Sequence, residues 1–131
     1  MSAPLYLIDG YSLIYRSYFA FIRRPLVNSR GENTSAVFGF FASLFQLLKL
    51  REPSYLAVVM DSRTPTFRHR RYPQYKANRE QAPRDLHDQV PVIEEILSAL
   101  GIPCLRRDGF EADDLIATLA DRSQYAVLAV D

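Results

Sequence analysis

Hydrophobic positions along this chain fall into two rhythms. Short, uninterrupted apolar runs at 5–8, 55–60 and 125–130 alternate with longer stretches in which apolar residues recur every three or four positions. The first rhythm is that of strands buried on both faces of a parallel sheet, the second that of helices with one buried side. A strand is predicted over 5–9. Gly10 then opens a helix from Tyr11 to about Phe21 that turns Leu13, Ile14 and Tyr18 inward. A loop from Pro25 to Asn33 follows, with Asn28, Gly31 and Asn33 as its turn formers. Thr34 or Ser35 caps a long helix to about Leu50, whose inward set is Val37, Phe38, Phe41, Leu44, Phe45 and Leu48. The second strand comes after Pro53. Further on, a helix over 86–100 buries Val90, Ile93, Ile96, Leu97 and Leu100 and stops at Gly101. A short strand at 102–105, a helix over 112–122 burying Leu115, Ile116 and Leu119, and a last strand complete the series. Strands joined through helices imply parallel pairing and right-handed crossovers. The fold class is therefore α/β, a three-layer α/β/α sandwich around a mainly parallel sheet.

Each of the three long apolar runs ends on an aspartate: Asp9, Asp61 and Asp131. In open α/β sheets ligands bind outside the carboxyl ends of the strands, so this repetition delivers carboxylates to one edge. Glu111, Asp113 and Asp114 follow the short strand at 102–105 and add to the set. One aspartate after a strand is ordinarily a helix cap or turn former, and acids at a helix start also suit the helix dipole. Capping does not explain several strands pointing aspartates the same way. Crowded carboxylates repel unless a cation lies among them, and a set of oxygen ligands selects Mg²⁺ or Mn²⁺ over zinc. Two such ions would activate a water and stabilise the leaving oxygen of a phosphodiester.

The net charge of +1 hides an uneven distribution. Residues 63–84 hold seven cationic side chains against Glu80 alone, a net +6, which leaves −5 for the rest. Here Pro65, Pro73 and Pro83 break a polar segment with no steady core period, an excursion from the sheet over about 63–85. Arg68, Arg70, Arg71, Lys76 and Arg79 are interleaved with Tyr72 and Tyr75. A charge run is usually a solvated face. Lys49 and Lys76 are the only lysines of the chain, and this arginine bias favours phosphate, which guanidinium grips in a fork, while the tyrosines offer faces for unpaired bases.

With 131 residues, 48% of them hydrophobic, the chain suits a single globular domain. No apolar stretch is long enough to span a bilayer and no signal-peptide pattern opens the chain, so the expectation is a cytoplasmic protein without a membrane partner. Cys104, the lone cysteine, reads as an inert core thiol, and His69 and His87 as surface residues. The last strand stops on a functional-looking residue, which predicts a domain truncated at its C-terminal end.

Three motifs carry a resemblance: Leu7-Ile8-Asp9-Gly10-Tyr11-Ser12-Leu13 with Tyr15-Arg16, Phe67-Arg68-His69 with Tyr75-Lys76-Ala77-Asn78-Arg79, and Gly109-Phe110-Glu111-Ala112-Asp113-Asp114. In order and spacing they resemble the 5′-3′ exonuclease domain of bacterial DNA polymerase I, within the flap endonucleases of PIN-like, resolvase-like fold. The resemblance covers essentially all of 1–131 and implies a structure-specific nuclease, nucleoid-associated, that removes 5′ flaps and RNA primers with two Mg²⁺ or Mn²⁺ ions. It implies a first metal site of Asp9, Asp61, Glu111 and Asp113, supported by Asp114, and a second begun by Asp131. It further implies that Lys76 and Arg79 steer and polarise the scissile phosphate from a helical arch, and that Tyr75 stacks on a base. Arg16 either contacts DNA or pairs with the acidic pocket. The family continues past this point with further metal-binding aspartates and a helical duplex-binding motif. A fragment that holds branched DNA without cutting it is therefore a second expectation, and whether a polymerase domain follows stays open. The alternative from another class, a receiver-like phosphoacceptor domain, needs a lysine ending a later strand and gives the basic segment no purpose.

Overall fold

The computed structural model describes residues 5–61, 83–106, 112, 116 and 127–130. Four strands, β1 (Leu5–Asp9), β2 (Tyr55–Val59), β3 (Cys104–Leu105) and β4 (Val127–Val130), form one sheet in the order β3-β2-β1-β4, every pair parallel. Pro103 has no N–H to give, so β3 begins only at Cys104, shorter than the run from Ile102 suggests, although the Pro103 carbonyl still accepts from Val58 N–H at 2.9 Å.

Between the strands lie α1 (Gly10–Ala20), α2 (Ser35–Arg51), the single turn α3 (Arg84–His87) and α4 (Val90–Ala99). Strand residues alternate between two cores. Ile8 and Val58 face Leu13, Ile14, Phe40, Leu44, Ile93 and Leu97. Leu7, Ala57 and Val59 face Ala112, with Ile116 packed against them. Apolar material on both faces makes the expected three layers, and Ala112 and Ile116, both helical, are the described part of the second helical layer. Leu115 and Leu119 lie outside the described residues.

Two helix readings need correction. Apolar residues fill 11 of the 17 positions of α2, on every side, so spacing alone could not select its buried side: Phe38 and Phe45 are 56% and 50% exposed, while Phe40 is fully buried beside Phe41 and Leu44. The helix expected over 86–100 is two pieces, because Pro91 cannot donate an N–H to the preceding turn and instead occupies the first turn of α4. Leu100 is half-exposed at the end of α4, and Gly101 stops the helix at φ +74°, as predicted. Arg84 and Asp85, counted with the basic excursion, belong to α3. No helix among the described residues is long and apolar enough to cross a membrane.

Candidate active site

Parallel register fixes which side chains reach the carboxyl edge. Asp9 of β1 lies level with Val59 of β2, and Ile8 lies level with Val130 of β4. Asp9 and Asp61 thus leave neighbouring strands on the same edge. Asp9 is also the N-cap of α1, its Oδ1 accepting from Ser12 N–H at 3.2 Å. The turn from strand to helix is tight because Gly10 has no side chain: a Cβ there would stand 2.8 Å from Val58 Cγ1 and collide with Met60 Sδ.

Asp61 follows Met60, whose N–H makes the last sheet bond among the described residues, to the Leu105 carbonyl at 2.7 Å. Beyond that point side chains take over. Arg106 Nε donates to the Asp61 carbonyl oxygen at 2.9 Å, and its Nη1 and Nη2 donate to Glu94 of α4 at 2.9 and 3.4 Å. Asp61 Oδ1 accepts the N–H of Ala112 at 2.7 Å. Ala112 sits between Glu111 and Asp113 in the sequence, so the acidic motif meets Asp61 through its backbone. Oδ2 of Asp61 takes no hydrogen bond among the described residues.

Asp61, Tyr11, Met60, His87, Glu94 and Arg106 line a cavity of about 580 Å³ at this edge. Burial first, then the Asp61 carboxylate and the Tyr15 ring hydroxyl, hold the Tyr11 phenol above its ordinary pKa of 10.0. The exposed His87 places its ring 6.5 Å from that of Tyr11, which agrees with a surface histidine. Cys104 is partly buried in β3 against the core, and Arg16 is exposed on α1.

Of the expected metal ligands, Asp9 and Asp61 are brought to one edge, whereas Glu111, Asp113, Asp114 and Asp131 lie outside the described residues. So do Arg68, Arg70, Arg71, Tyr72, Tyr75, Lys76 and Arg79. Among the described residues no three His, Cys, Asp or Glu side chains gather into a metal-holding group. Sequence reasoning passed over Arg106 and Glu94, since neither belongs to a motif or to the basic segment and only the fold brings them to Asp61. No described strand ends on a lysine, the feature a receiver domain needs.

Residues 4–130 match the family described as the 5′-3′ exonuclease N-terminal resolvase-like domain. DNA polymerase I of Treponema pallidum is 63% identical over 118 residues, covering 90% of this chain and 12% of the polymerase. A 5′-3′ exonuclease of Aquifex aeolicus is 48% identical over 118 residues, 90% of this chain and 40% of its own length. The chain thus spans less than half of these relatives. Among solved structures, the T5 5′-exonuclease with bound zinc aligns with a TM-score of 0.60 at 19% identity, covering 96% of this chain and 48% of that one. A bacteriophage T5 flap endonuclease in complex with DNA and metal ions aligns at 0.61 and 22%, covering 96% and 47%. At such identities the likeness is one of fold, and that fold is the sandwich described above. With the sequence match running from the first strand to the last and the aspartate-bearing edge in place, the chain belongs to the family of 5′-3′ exonuclease N-terminal resolvase-like domains.

Proposed function

We propose that residues 1–131 are the N-terminal part of one 5′-3′ exonuclease domain that hydrolyses phosphodiester bonds of 5′-flap DNA and RNA-DNA primers with two Mg²⁺ or Mn²⁺ ions. The observation that carries this reading is the delivery of Asp9 and Asp61 to one sheet edge, with the backbone of the Glu111 to Asp114 motif hydrogen-bonded to Asp61. Their donors are carboxylate oxygens, the chemistry that suits a hard divalent cation, and among the described residues Asp61 Oδ2 takes no hydrogen bond. Asp9, Asp61, Glu111 and Asp113 would hold the first ion, Asp114 would support them, and Asp131 would serve the second. Ions held there supply charge neutralisation at the phosphate and a lowered pKa for an attacking water.

The chain's own groups do the rest. Lys76 and Arg79 polarise and orient the scissile phosphate, Tyr72 and Tyr75 stack on unpaired bases, and Arg68, Arg70 and Arg71 neutralise the strand, all within the basic segment that precedes α3. Exposed Arg16 adds a phosphate contact beside β1. A polymerase domain in the same polypeptide and a nucleoid-associated place in the cytoplasm fit this substrate.

The test is cleavage of a labelled 5′-flap DNA with Mg²⁺ or Mn²⁺ by this chain and by the chain continued past Asp131 to the length of its relatives. Failure of the longer protein to cut sinks the reading. Cutting by the longer protein alone makes residues 1–131 a binding fragment. In the active form, Asp61→Ala abolishes cutting and leaves DNA retention largely intact, whereas equal loss of both contradicts the metal role.

A further inference from the structure

The peptide at Asp61 is held from outside the sheet. Among the described residues the last bond between β2 and β3 is that of Met60 N–H, and the carbonyl of the following residue, Asp61, is taken by Arg106 Nε at 2.9 Å. The guanidinium is itself aimed by Glu94, which accepts from both terminal nitrogens. Both side chains are largely sheltered, 16% and 22% exposed, so this pair is ordered rather than a solvated surface contact. Three donors of one planar group thereby join α4, the end of β3 and the end of β2. On the other side of the same residue, the Ala112 N–H fixes carboxylate Oδ1. An Asp61 pinned at carbonyl and carboxylate presents Oδ2 in one direction only.

We infer that Arg106, aimed by Glu94, is a positioning residue that sets the carboxylate of Asp61 for a divalent cation. The inference rests on the proposed metal role of Asp61. Arg106 acts through the Asp61 peptide and is assigned no contact with cation or DNA. It acts as partners of metal ligands do elsewhere, where their removal costs roughly 10–100-fold in metal affinity. A lysine has a point charge and no fork, so it cannot hold Glu94 and the Asp61 carbonyl in the same way.

The experiment uses the chain continued past Asp131 and reads Mn²⁺ binding directly, by calorimetry and electron paramagnetic resonance without DNA, alongside the Mg²⁺ dependence of flap cleavage. Arg106→Met is expected to weaken Mn²⁺ binding about tenfold or more and to raise the half-saturating Mg²⁺ for cleavage in parallel, with the KM for DNA nearly unchanged. Arg106→Lys should recover only part of this loss. Glu94→Gln keeps one acceptor and should fall between wild type and Arg106→Met, and combining it with Arg106→Met should add little. Should Arg106→Met fail to fold by circular dichroism, Arg106→Lys and Glu94→Gln carry the test. Normal Mn²⁺ binding in these variants, with Asp61→Asn defective, overturns the inference. Tight Mn²⁺ binding that responds to Arg106 without any cleavage keeps it and sinks the nuclease reading alone, whereas a wild-type protein that binds no Mn²⁺ overturns it.

Discussion

At Asp9 one carboxylate serves two ends. It caps α1 through Ser12 N–H, and it stands at the sheet edge where the proposed cation lies. The two roles come apart by substitution, because Asn caps about as well as Asp but carries no charge. Asp9→Asn should leave stability within about 0.5 kcal/mol in urea denaturation while cleavage is lost; Asp9→Ala should lose cleavage and about 1 kcal/mol as well. If Asp9→Asn cuts normally, Asp9 is a cap and nothing more. Gly10, the next residue, is limited by space rather than chemistry. A methyl group there meets Val58 and Met60 side chains and comes within 3.2 Å of the Val59 carbonyl. Gly10→Ala should cost about 1–3 kcal/mol of stability, seen as a lower denaturation midpoint. Asp9 was legible in the sequence because an apolar run stops on it; the clash behind Gly10 was not, since β2 lies far along the chain.

The N-terminus of α2 shows what a single segment of sequence conceals. Thr34 is indeed its N-cap residue, yet its side chain donates to the Leu26 carbonyl at 3.3 Å and makes no cap bond. Asn33 Oδ1 accepts from Ser35 N–H, and buried Gln89 Oε1 accepts from Ala36 and Val37 N–H at 2.8 and 3.1 Å. The cap comes from the turn before α4, across the core, where no local pattern points to it. Gln89→Leu leaves the N–H of fully buried Ala36 without an acceptor and should cost about 1–3 kcal/mol in chemical denaturation, with Gln89→Glu milder because the acceptor returns. Equal stability of wild type and Gln89→Leu would mean that the helix start finds another partner. Strand positions were easier to read, since an apolar run limits the register to one or two choices. The buried side of α2 was not readable, because its apolar residues surround the helix.

Across the whole molecule, α1, α3 and the 25–34 loop meet at Asp85. Tyr18 OH donates to Asp85 Oδ1 at 2.7 Å and Asn33 Nδ2 donates to Oδ2 at 3.0 Å. These hydrogen bonds, Tyr18 first, hold the Asp85 carboxyl below its ordinary 3.8. Burial foremost, then the bond to Asp85, pushes Tyr18 up to about 12. The two shifts act at opposite ends of the pH scale. Asp85 stabilises the fold above its ordinary pKa, and this is lost as pH falls through the lowered value; Tyr18 contributes fully below pH 10, and this is lost between 10 and about 12. Tyr18→Phe should therefore flatten the fall of Tm between pH 10 and 12 and weaken the acid limb below about pH 4, measured by thermal melts across both ranges. An unchanged alkaline limb would place its cause elsewhere.

The strand order also has a consequence for how the molecule is made. β1 is synthesised first but lies inside the sheet, between β2 and β4. It leaves the ribosome with both hydrogen-bonding edges bare, and its second partner begins only at Val127. At ordinary rates of synthesis that wait is on the order of ten seconds. Throughout it, the Leu-Tyr-Leu-Ile strand keeps the edge that β4 will pair without a partner, even after β2 has paired the other edge and α1, α2 and α4 have covered one face. The nascent chain is thus most open to mispairing before its last strand emerges, so synthesis that pauses before β4 prolongs the period of greatest risk of aggregation.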